Sequence, residues 1–267
     1  MVKYIRIWTT VFVLILLLWL RSTLGFLQGR THGTADSSRV IVMGRLKHED
    51  TDWVISDLPE YHSSYPLEYS KLRNSWQHAI YTVDDPNPPT PFRIPKNKGR
   101  ESNVYLQYII DHYPDLPSTI VFLHSHRDGY PKAWHTEFPT HSNVDAVRNL
   151  QTAFIQRTGY ANMRCNPIPG CPDEIRPFRQ PREEFRTAER AIPDAWRALF
   201  NNTNVPGVIA APCCSQFAVS REQVWKRPVG DYQWFQRWLM ETDLSDDVSG
   251  RVMEYLWHVI FGKGVVQ

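Results

Sequence analysis

Three short apolar runs decide what this chain can fold into: VIVM at 40–43, AIYTV at 79–83 and TIVFL at 119–123. Each is rich in β-branched or aromatic residues and ends abruptly on polar groups, the pattern of strands buried on both faces. Between the second and third lies a helical stripe of Leu106, Ile109, Ile110 and Tyr113, stopped by Pro114 and Pro117. A second helix is expected over 144–158, closed by Gly159. Strand, strand, helix, strand, helix is the order of an α/β fold with a mainly parallel sheet flanked by helices. Further helices are expected near 193–200, 221–225, 232–241 and 250–261, and strands at 207–211 and 216–219.

That fold class says where a site should be, because such sheets bind ligands at the carboxyl ends of their strands. The third run ends there in VFLHSHRDG, with His124 and His126 two residues apart and therefore on one side of an extended chain. The pair can offer two nitrogens to one metal ion, with Asp128 as a third ligand. Arg127 and Lys132 could instead hold a phosphate, and His135 and His141, farther along the same loop, could contribute, although loop histidines are usually just solvated. Glu49 and Asp50 follow the first run, and Asp84 and Asp85 the second, so three strands deliver polar groups to one rim.

Asn97, Lys98, Gly99, Arg100 and Glu101 lead into the first helix, where a tight glycine backbone and a helix N-terminus favour an anion. On the last expected helix Glu254 and His258 are four apart and share a face, suited to a general base and its orienting partner. The plainer alternatives are hydrogen-bonded loop histidines, an ordinary turn before a helix, and a surface pair.

Lys3 and Arg6 precede an apolar run at 7–20 that Arg21 closes. Residues 1–27 are read as a cytoplasmic tip and signal-anchor, or a cleaved signal peptide, and 28–38 as a stem. Either reading places residues 39–267 in the lumen of the secretory route, single-pass at the membrane or secreted after cleavage. Four cysteines suit an oxidising compartment, and adjacent Cys213 and Cys214 are expected to pair elsewhere, most simply with Cys165 and Cys171, the plainer alternative being four reduced core thiols. A sequon at Asn201 to Thr203 agrees with that compartment. A net charge of +2, mixed along the chain, argues against a nucleic-acid partner.

NKGRE at 97–101, YLQYII at 105–110, FLHSH, CCSQFAVS at 213–220 and GRVMEYLWHVIFG at 250–262 together resemble a fungal and bacterial family of uncharacterised domains. That family looks similar to GT-A glycosyltransferases of the rhamnan-synthesis type, over about residues 39–262. The resemblance implies a single GT-A-like, Rossmann-type domain transferring a sugar from a nucleotide-sugar donor to a glycan or small-molecule acceptor. It sets FLHSH where such enzymes carry Asp-x-Asp, so His124 and His126 replace the aspartates that hold a divalent ion. Histidine then implies Mn2+ or Zn2+ rather than Mg2+, or a metal-independent site in which Arg100 or Arg127 neutralises the diphosphate. Glu254 falls where related enzymes place an acidic residue near the acceptor. The rival functions are a non-catalytic carbohydrate- or nucleotide-binding protein and a His-ligated metalloenzyme.

Overall fold

The structure, a computed structural model, describes residues 38–59 and 75–267. The apolar run at 7–20 and nearly all of the stem lie outside those residues. No helix among the described residues is long and apolar enough to cross a membrane.

The three apolar runs are β1 (Arg39–Arg45), β2 (Gln77–Thr82) and β3 (Thr119–His124), parallel to one another with β1 in the middle. α1 (Asp52–Asp57) follows β1, and α2 (Glu101–His112) carries the chain from β2 back across β1 to β3. β4 (Tyr160–Asn162) and β5 (Phe217–Ser220) complete the order β2-β1-β3-β5-β4, with β5 antiparallel to both neighbours. Four of the five strands thus run one way and β5 alone against them, so the mainly parallel sheet expected carries one reversed strand. β5 begins level with the carboxyl end of β3 (Phe217 opposite Phe122) and can only run back down the sheet.

Strand alternation sorts the core into two layers. Ile41, Met43, Val121, Leu123 and Ala218 pack on α1, α3 (Asn143–Arg148) and α4 (Thr152–Thr158). Val40, Val42, Ile120, Phe122, Phe217 and Val219 face the other way. They pack on α2, α5 (Thr187–Phe200), α6 (Arg221–Val224), α7 (Val229–Glu241), α8 (Asp246–Glu254) and α9 (Trp257–Ile260). Phe217 sits within 5.8 Å, centre to centre, of Tyr105, Phe122, Tyr160, Trp257 and Phe261. Burying one such side chain contributes about 1.5–3 kcal/mol.

Two expected helices are each broken in two. The one over 144–158 stops at Asn149, whose N–H closes on Asp145 before α4 restarts. The one over 250–261 stops at Glu254, with Tyr255 and Leu256 turning the chain into α9. The strand expected at 207–211 makes only isolated bridges, Ile209 to Ile175 and Ala210 to Val266. α5 starts six residues earlier than its proline suggested and keeps Pro193 in its interior.

From β1 the chain moves outward to β2, and from β3 it moves to the opposite side. The loops after β1 and β3 therefore part, and a crevice opens between their carboxyl ends. Gly44 of β1 and His124 of β3 are register partners at that point.

Candidate functional site

The HSH backbone is pinned from three directions. Gln216, just before β5, accepts the His124 N–H at 2.9 Å through Oε1 and exchanges side-chain hydrogen bonds with Asn143 at 3.2 Å. Asn143, at the start of α3, donates to the His126 carbonyl at 2.7 Å and accepts from the Thr136 hydroxyl at 3.0 Å. Trp53 of α1 donates through Nε1 to the Ser125 carbonyl at 3.2 Å. A paired, buried amide network of this kind fixes a loop because every lost partner would be costly.

Three imidazoles gather on this frame. The rings of His124 and His135 lie 4.9 Å apart, and His126 stands 6.4 Å from the first and 6.3 Å from the second. The Nε2 atoms of His124 and His135 are buried and have no hydrogen-bond partner among the described residues. Burial, then His126 and Arg100, pull the His124 pKa down to about 4, against the opposing pull of Glu49. Burial, then its two histidine neighbours and Arg164, bring His135 to about 3, against the opposing pull of a hydrogen bond with Gln216. Both rings are neutral at physiological pH and keep a lone pair for a ligand.

A second cluster adjoins the first through Arg100. Burial raises the Glu254 carboxyl above its ordinary value, and Glu101 raises it further. Glu101, at the start of α2, is raised chiefly by burial, with Arg100 and Arg251 opposing. Glu254 Oε1 accepts the Cys214 N–H at 2.6 Å. Ser215 stands beside Glu101, yet among the described residues its buried hydroxyl has no aligned partner. Cys214 and Ser215 both have left-handed backbone, φ 88° and 52°, which turns their chain toward these carboxylates.

Cys213 and Cys214 are bonded to each other, and Cys165 and Cys171 are free thiols. This overturns the pairing expected. Cys165 points to solvent, and the Cys171 thiol donates to the carbonyl of Gln267 instead.

The other residues singled out in the sequence have local duties. Glu49 closes its own turn by accepting the Leu46 N–H at 2.7 Å, although its charge still reaches His124. Asp50 accepts the N–H of Asp52, and Asp84 that of Lys47. Arg127 bridges Asp57 at 3.0 Å and Asp128, so Asp128 is engaged by a guanidinium and is exposed. Asn97 is exposed, while Gly99 has φ 72° and a Cβ there would come within 2.5 Å of Leu239. Lys98 donates to the Thr242 and Leu244 carbonyls beyond α7, and Arg100 pairs with Asp247 of α8. His258 is fully buried on α9, its Nε2 3.2 Å from the Val265 carbonyl, and the helix break removes its i,i+4 relation to Glu254.

The donor set of the three histidines fits zinc better than manganese, since imidazole suits zinc and carboxylate suits manganese. Two orphaned buried nitrogens are the observation that supports the fit. His126 is the ring farther from both others, and as they lie the three rings do not bring their nitrogens within 4.8 Å of one another. Among the described residues, the three metal-ligating groups with atoms already within 4.8 Å of one another are Cys213, Cys214 and Glu254.

The family model described as "Protein of unknown function (DUF3431)" matches residues 41–267. No curated protein and no solved structure matches the chain.

Proposed function

Because the chain belongs to the DUF3431 family over residues 41–267, whose description names no reaction, we propose from the site alone that it is a glycosyltransferase-like enzyme using a nucleotide-sugar donor. One observation carries the reading: a trio of histidines, His124 and His135 among them neutral, and a pair of desolvated carboxylates share Arg100, beside the crevice between β1 and β3. A diphosphate-linked donor needs positive charge at its phosphates and a base near its sugar, and the two clusters are suited to those needs.

His124, His126 and His135 would hold a divalent ion, zinc before manganese, which would neutralise the diphosphate as it leaves. Arg100 adds a cation from the protein itself once the donor's phosphates displace its exposed partner Asp247. Glu254 takes the proton of the acceptor hydroxyl as its oxygen attacks the anomeric carbon and the nucleoside diphosphate departs. A carboxylate raised toward neutrality by burial is a stronger base than an exposed one, and a positioned base contributes roughly 10²–10⁴-fold. The Cys214 N–H orients it. The apolar segment at 7–20 would tether the domain on the lumenal side of a secretory membrane.

Two variants test the assignment. His126→Ala is expected to abolish nucleotide-sugar binding, and Glu254→Gln to leave binding intact while removing turnover. Wild-type behaviour in both would remove these residues from the site. The orphaned histidine nitrogens also favour a second reading, a zinc hydrolase, which stoichiometric zinc without any nucleotide-sugar binding would select.

A further inference from the structure

The sequence expectation made Cys213 and Cys214 structural cross-links to distant partners. The structure sets them side by side as a disulfide against Glu254, whose carboxylate Cys214 itself orients. Cys213 Sγ, Cys214 Sγ and a Glu254 oxygen lie within 4.8 Å of one another, a span that one thiolate-bound cation can bridge. Arg164 Nη1 approaches Cys213 Sγ to 3.4 Å, and a guanidinium beside a sulfur favours the thiolate once the sulfur is released. Cys213 is nearly buried and its N–H is tied to the Pro169 carbonyl at 3.1 Å, so these contacts hold the backbone of the turn apart from the sulfur bond.

We propose that Cys213, Cys214 and Glu254 form a redox-gated site for a thiophilic cation of the zinc or cadmium type. The disulfide is its closed state. A dithiol donor opens it by thiol–disulfide exchange: the donor's two sulfurs form its own disulfide, and two electrons and two protons pass to Cys213 and Cys214. The cation then displaces both thiol protons and takes a carboxylate oxygen of Glu254 as a further ligand. The site stands on its own geometry, distinct from the histidine trio. Its consequence for the reaction rests on the reading above, because a Glu254 held by a cation is no longer available as a base.

The test uses the full-length protein reduced with a tertiary phosphine, which becomes its oxide as water supplies the oxygen and both protons. After removal of excess phosphine, cadmium is titrated in and the thiolate-to-cadmium ultraviolet band is recorded. That band reports sulfur ligation, so cadmium on the histidines does not contribute to it. The expected result is a band saturating at one equivalent, absent from the oxidised protein and lost in both Cys213→Ser and Cys214→Ser. Cys165→Ser and Cys171→Ser should keep it, and Glu254→Gln, which removes a ligand, should weaken binding by at least about tenfold, the lower end for losing even an outer contact. A band that survives in Cys213→Ser and Cys214→Ser, or none in the reduced protein, overturns the proposal. Near-ultraviolet dichroism follows the fold alongside, and a reduced chain that unfolds without rescue by cadmium overturns it equally.

Discussion

Glu254 and Glu101 repel each other in a partly buried site, and desolvation is the larger reason that both bind protons more tightly than free glutamate. The sign of the consequence is fixed. The native pKa values lie above the unfolded ones, so the stability the protonated pair contributes is complete below the unfolded value. It is lost as pH rises through the native value. Glu254→Gln is therefore expected to raise the melting temperature at neutral pH and to flatten its fall between mild acid and neutrality. A slope equal to that of the wild type would contradict the buried-pair description. The same shift sets the rate profile: turnover should climb with pH along a limb above the ordinary carboxylate value of 4.5. Among the histidines, His135→Ala should lower zinc affinity as much as His124→Ala, and Gln216→Ala by roughly 10–100-fold through the loss of the frame beneath them. Asp128→Ala should change it little, because Arg127 already engages that carboxylate. Calorimetric zinc titration of the four variants checks this order.

Elements explain which parts of this arrangement could be read from the chain. His124 and His126 were legible because a strand alternates strictly and their run ends where a sheet binds ligands. His135 sits in an aperiodic loop, and the amides that seat the cluster act across distance, Gln216 reaching His124 over 92 residues. No local pattern encodes such a pairing. Glu254 was legible as a polar residue on an apolar helix, but its partner Glu101 belongs to another helix. The supposed partner His258 was lost to a break at Tyr255 and Leu256, where neither proline nor glycine announces it. The cysteine expectation failed for a local reason, since Cys214 and Ser215 adopt left-handed backbone that adjacent residues rarely share. Gly99 was read as part of an anion loop, and the structure gives it a packing role as well. Gly99→Ala should destabilise the domain by about 1–3 kcal/mol through overpacking on Leu239, with backbone strain added. Phe217→Ala, at the centre of the aromatic core, should cost about 3–5 kcal/mol. Denaturant unfolding at constant slope measures both.

At the scale of the molecule, the α/β layering followed from three apolar runs and one helical stripe. The reversal of β5 alone did not, because a short apolar strand carries the same signature whichever way it runs. Direction matters to function: the turn that opens β5 lies level with the end of β3 and brings Cys214, Ser215 and Gln216 to the carboxyl rim. The rim thus collects β1, β3, the start of α2, the end of α8 and the start of β5, five segments that are remote in sequence. Their convergence beside a topological switch point is the central claim, and ligand-dependent stability tests it most directly. The melting temperature should be measured against a panel of nucleotide-diphosphate sugars with zinc, with manganese, and after chelation. A ligand at a hundredfold excess over its dissociation constant stabilises by about 2.7 kcal/mol. The account predicts a shift with one nucleotide that needs the metal and disappears in His124→Ala. A shift with zinc alone, and none with any nucleotide sugar, would contradict it.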